Sequence, residues 1–146
     1  MPGFNFSLQK VLDLRKQKEE QAQMALAATE RRFKEQQTLL KELQNEMRHC
    51  EAEYRNRRHL SQGDLWLWGN YRMRLESEIN ERESIIRRIE KKIHKQRKEL
   101  VDRSKQRELL DKYKENQKKA YDYEQKQKEQ KEFDETATTR FGHKAM

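Results

Sequence analysis

Residues 75–100 read LESEINERESIIRRIEKKIHKQRKEL, and all but one of their apolar members, Leu75, Ile79, Ile86, Ile89, Ile93 and Leu100, recur at spacings of three, four and seven, with Ile85 beside them. An α-helix turns once in about 3.6 residues, so these spacings lay the apolar side chains along one narrow stripe and leave Lys, Arg and Glu to water. That repeat is the seam of a coiled coil. The same steps of three and four take in Arg82 and Gln96 within it and reach Leu65, Trp68 and Arg72 on one side and Arg103, Arg107 and Leu110 on the other. The same stepping from Leu8 lands on Leu12, Arg15, Glu19, Ala22, Leu26, Thr29, Phe33, Gln36, Leu40, Leu43, Met47, Cys50 and Tyr54. Two stretches of similar length thus share one heptad pattern.

Little interrupts them. The chain has one proline, Pro2, and four glycines, Gly3, Gly63, Gly69 and Gly142, so nothing between residues 4 and 62 stops a helix. Ser61-Gln62-Gly63-Asp64 is the central break. Gly63 suits the left-handed residue that ends a helix, and Asp64 suits the N-cap of the next. The expectation is an all-α fold, a long antiparallel two-helix coiled coil. It comprises a single hairpin over 1–146, with helix 1 about 6–60, a turn about 61–64, helix 2 about 65–132 and a C-terminal tail about 133–146. Folding at the break pairs residues whose numbers add to about 126, placing Met47 by Ile79, Leu40 by Ile86, Phe33 by Ile93 and Leu26 by Leu100. The polar interruptions also meet opposite charges, Glu19 facing Arg107 and Arg15 facing Asp111. At about 1.5 Å per residue, the first helix would be roughly 80 Å long.

Composition agrees with solvated helices around a narrow seam, because 41% of residues are charged and only 32% apolar. No apolar run is long enough to span a bilayer, and the first residues lack the basic and apolar regions of a signal peptide. Both predict a cytoplasmic location, as does a lone cysteine, Cys50. Residues 87–107 hold ten bases and three acids, nearly all of the net charge of +8. Arg87, Arg88, Lys91, Lys92, Lys95, Arg97 and Lys98 form this basic stripe, either a solvated face or a docking surface for an acidic protein, a membrane or nucleic acid.

No constellation for catalysis is present. The glycines are isolated, no G-K-[ST] tripeptide occurs, and His49, His59, His94 and His143 lack metal-ligand spacing with Cys50. His49 and Cys50 are neighbours about 100° apart on a helix, with Cys50 on the seam, so Cys50 reads as a packed small residue. The chain is expected to be non-enzymatic, to use no cofactor or metal and to bind other proteins. Trp66, Leu67, Tyr71 and Met73 are surplus to the seam at the hairpin tip, where they either cap its open end or anchor a partner.

The opening Phe4-Asn5-Phe6-Ser7-Leu8-Gln9-Lys10-Val11-Leu12-Asp13-Leu14-Arg15, followed by Glu19 and Glu20, resembles the start of the flagellar export protein FliJ family. Lys131-Glu132-Phe133-Asp134-Glu135-Thr136-Ala137-Thr138-Thr139-Arg140-Phe141 is similar to that family's closing motif, and Tyr71, Leu75 and Ile79 fit its pattern after the turn. The resemblance implies a stalk-like coiled coil in the ring of the export ATPase FliI, with contacts to the export gate protein FlhA, to FliH and to export chaperones. It also implies a peripheral position on the cytoplasmic face of the membrane at the flagellar basal body. By the stalk analogy Phe4, Phe6, Phe133, Arg140 and Phe141 at the terminal end meet the ring, and Trp66, Leu67, Tyr71 and Met73 meet the gate. The alternative is a basic coiled coil that binds nucleic acid or an anionic membrane through the stripe at 87–107, which lacks the interleaved aromatics that base stacking needs.

Overall fold

A computed structural model describes residues 3–144, which form two helices, α1 (Gln9–Asn56) and α2 (Gln62–Lys144), packed as an antiparallel hairpin. No strand occurs among the described residues. The helical boundaries differ from expectation at three places, each for a local reason. First, α1 begins at Gln9 rather than near residue 6. Phe6 stays outside the helix, its carbonyl accepting from the Gln9 N–H at 3.1 Å, and its ring is buried beside Leu12 and Leu110.

Second, the turn occupies residues 57–61 rather than 61–64. Beyond Tyr54 the next seam positions are Arg57, Arg58 and Ser61, which offer nothing apolar to bury. α2 then starts early because Ser61 and Asp64 satisfy each other: Ser61 Oγ accepts from the Asp64 N–H at 3.1 Å, and Asp64 Oδ2 accepts from the Ser61 N–H at 3.2 Å. This is the reciprocal capping arrangement, with Ser61 as the cap. Asp64 therefore sits inside the first turn of α2, and Gly63 is helical, with no glycine at positive φ.

Third, the expected tail is helix as far as Lys144. Neither glycine nor proline occurs from 120 to 141, so nothing breaks the hydrogen-bond ladder there.

Contacts divide the molecule into two units. The unit Glu20–Val101 contains the tip, and its buried core is Leu75, Ile86, Ile89 and Ile93 with Thr29, whose hydroxyl bonds the Ala25 carbonyl at 3.0 Å. Leu26, Phe33, Leu40, Met47, Ile79 and Leu100 are half-buried along the same seam. Arg82 and Gln36 interrupt it and satisfy each other at 2.8 Å.

The other unit joins the N-terminal segment through Glu19 to α2 from Asp102 onward. Leu12, Phe6 and Leu110 form its core, with Phe4 packed against them. Arg107 Nε donates to Glu19 Oε2 at 2.5 Å, the pairing expected from the register. The second expected pair does not form. Arg15 Nη1 donates instead to the Gln106 carbonyl at 2.8 Å, and Asp111 accepts from Arg107 at 2.7 Å, because residues four apart on one helix meet without help from the partner helix.

Candidate partner-binding surfaces

At the tip, Trp68 stacks on Tyr54 with ring centroids 5.4 Å apart, and Tyr71 leans on Trp68 at 6.5 Å. The Tyr71 hydroxyl donates to Glu46, and that bond to a carboxylate pushes the phenol up to about 12. Of the two alternatives for Tyr71, capping the seam's open end or anchoring a partner, its half-buried ring takes the first, in the inner aromatic stack that closes the seam. Cys50 is half-buried and lines the same recess as Tyr54, Trp68 and Tyr71, as its seam position requires.

Trp66 and Met73 point the other way, with exposures of 68% and 69%, while Leu67, 61% exposed, borders the recess itself. Spacings of three and four put Trp66, Gly69 and Met73 on one helical face. A side chain built on Gly69 would meet nothing within 4 Å, so the glycine leaves an open notch between an exposed indole and an exposed thioether.

At the terminal end the candidate aromatics separate into two sets. Phe6 is only 4% exposed and meets Tyr113 at 5.9 Å, while the half-buried Phe4 meets Tyr121 at 5.6 Å. Both tie the N-terminal segment to α2, so Phe6 presents no face to a partner. Phe133, Arg140 and Phe141 are exposed, on a stretch of α2 where every described side chain beyond Gln125 faces solvent.

The basic stripe is exposed along its whole length. Arg97 bends away from it toward α1 and meets Glu30 at 3.4 Å. Arg87, Lys91, Lys95 and Lys98 remain on the outer side of α2, whereas Arg88 and Lys92 flank Ile89 on the side toward Arg32 of α1.

Among the described residues no group of His, Cys, Asp and Glu could hold a metal ion, and no helix is long and apolar enough to cross a membrane. Searches of curated proteins and of solved structures returned no match. The family model described as "Flagellar FliJ protein" matches residues 4–146, from the buried N-terminal aromatics through both helices to the exposed end of α2. With nearly its whole length matched in this way, the chain belongs to the flagellar FliJ family and is a component of the flagellar export apparatus.

Proposed function

We propose that the chain is a non-catalytic coupling element of flagellar protein export, stalk-like in the ring of the export ATPase FliI and linked through its tip to the export gate protein FlhA. FliH and the export chaperones are further partners, met on the cytoplasmic face of the membrane at the basal body. The observation that carries this reading is where the three most exposed aromatic side chains among the described residues, Trp66, Phe133 and Phe141, lie. Trp66, Leu67 and Met73 lie at the tip, and Phe133 and Phe141 lie on the solvent-exposed end of α2. Neither set fills the seam, and surplus aromatics of this kind concentrate binding energy in protein interfaces.

The test removes each set separately. Trp66→Ala with Met73→Ala should weaken binding to FlhA and reduce motility, while stimulation of FliI activity persists. Tyr71 and Trp68 stay untouched, because their inner stack would confound binding with folding. Removing residues 133–146 should have the opposite pattern. A tip variant that binds FlhA normally yet no longer stimulates FliI would overturn the assignment of the two ends.

A further inference from the structure

Along one flank of the hairpin in the unit Glu20–Val101, two shallow grooves between α1 and α2 are related by a shift of one heptad. The groove nearer the tip has Leu39 and Leu43 in its floor and Glu42, Glu46, Glu78 and Glu81 around it, with Arg82 as its one base. The other has Ile85 and Ile89 in its floor and Arg32, Arg88 and Lys92 around it, with no acid. Seven residues separate Glu81 from Arg88, Glu78 from Ile85 and Arg82 from Ile89 on α2, and Arg32 from Leu39 on α1. Equivalent heptad positions face the same way, so the two grooves are consecutive sections of one furrow, about 10 Å apart centre to centre. Charge sign reverses between them.

The groove that Glu30, Phe33, Lys34, Glu90, His94 and Arg97 line contrasts with this flank. It mixes acids and bases, and its Arg97 and Glu30 already meet each other. The polarised furrow therefore reflects the side chains at particular positions and not the general charge of the molecule.

We propose that this furrow is the docking site for a single amphipathic helix of another protein, acidic over Arg32, Arg88 and Lys92 and basic one heptad further on. This goes beyond the coupling role and does not depend on how the two ends of the hairpin are assigned. A helix fits because the floor residues Leu39, Leu43 and Ile85 are only partly covered, and a third helix's seam would complete their burial. A flat lipid surface would meet the outer bases Arg87, Lys91 and Lys95, but could not reach Ile85 in the furrow floor or offer bases to the acidic section. There Glu78 already meets Arg74 and Glu46 meets Tyr71, but Glu42 and Glu81 face the furrow. A nucleic acid would be repelled by the acidic section. A second copy of this chain is disfavoured by the net charge of +8 that each copy brings. What discriminates is the order of charge along the partner helix, through complementary pairs on one side and like-charge contacts against a wrong sequence.

The probe is a labelled synthetic helix of three heptads with leucine along its seam, glutamate flanking one end and lysine flanking the other. A control peptide has the same composition with the glutamates and lysines alternating. In fluorescence anisotropy with the full chain, the block-charged peptide should bind about tenfold or more tighter than the control. Arg88→Glu with Lys92→Glu, both at exposed positions and checked for unchanged helicity, should abolish that preference and transfer it to a peptide flanked by lysine at both ends. Lys34→Glu, on the opposite flank, should leave it intact. Equal binding of the two peptides, or equal loss in the Lys34 variant, would overturn the furrow. Displacement of the peptide by duplex DNA or by phosphatidylglycerol vesicles would replace the helix with a polyanion or a lipid surface. Self-association in sedimentation velocity, lost in the Arg88/Lys92 variant, would replace it with a second copy.

Discussion

Arg107 occupies a seam position that an apolar residue would ordinarily fill, and it is held there by Glu19 from α1 and Asp111 from its own helix. These bonds, to Glu19 first, raise the guanidinium's affinity for its proton, so it stays charged at any accessible pH. Its side chain and that of Glu19 are 28% and 13% exposed, between the surface and buried limits, so breaking the pair should cost about 2 kcal/mol. In a double-mutant cycle, Glu19→Arg should destabilise the fold to chemical denaturation, and adding Arg107→Glu should recover only part of the loss. Full recovery is prevented because the new glutamate would face Asp111. Zero coupling would mean the two groups act as separately solvated charges. Tyr71 offers a second test at this scale. Its proton is retained up to about 12 because the neutral phenol donates to Glu46, so the stability it adds is complete below the ordinary value of 10.0 and is lost as pH rises through about 12. Of the five tyrosines, one should ionise late in an ultraviolet absorbance titration, and that late step should vanish in Tyr71→Phe and move down in Glu46→Gln.

At the scale of the helices, the seam was readable and the punctuation was not. Threes and fours from Leu8 and Leu65 picked out nearly every inward position, because the helical repeat fixes which side chains can share a stripe. Gly63 drew the turn too late. A glycine permits a helix to end, whereas the absence of an apolar residue at the seam positions after Tyr54 and the mutual satisfaction of Ser61 and Asp64 decide where this one does. The earlier turn also changes which residues face each other. Pairs across the hairpin have numbers adding to between 117, for Glu46 with Tyr71, and 127, for Glu30 with Arg97, so the expected 126 is near the upper edge. At the candidate sites the surplus of Trp66, Met73 and Phe133 over the seam was legible, whereas the sequence left open whether Tyr71 caps the seam or anchors a partner and gave no sign that Phe6 is buried. Their inward placement depends on Glu46 and on Leu110, partners distant in sequence. The cap itself can be titrated. Hydrogen bonds from the Ser61 backbone, and then its side chain, hold the Asp64 carboxyl below its ordinary 3.8. Its contribution is therefore present above that value and disappears as pH falls through the lower, folded one. Ser61→Ala should lower the urea midpoint at neutral pH, and the difference from the parent should shrink in acid below about pH 4.

For the molecule as a whole, charge and apolar surface are distributed to different places. The surplus positive charge lies within residues 87–107, while the most exposed aromatic groups, Trp66, Phe133 and Phe141, lie at the tip and on the last part of α2. That last part has a thermodynamic consequence. From residue 126 to 142 no side chain is covered, so the helix there rests on its own backbone bonds and on local contacts such as Thr136, Thr138 and Thr139 to carbonyls four residues earlier. A helix of this length without tertiary support is marginal in water, and its amides should exchange far faster than those beside Leu12 and Leu110. A partner that grips Phe133 and Phe141 must first draw the segment out of a helix–coil equilibrium. Its affinity can then be set by residues it never touches. Gln130→Gly should cost about 1 kcal/mol of helix propensity and weaken capture about fivefold, and Gln130→Ala should strengthen it slightly, with hydrogen exchange tracking both. For any partner that grips this end of α2, intrinsic helicity is thus a rheostat that sets how tightly it holds.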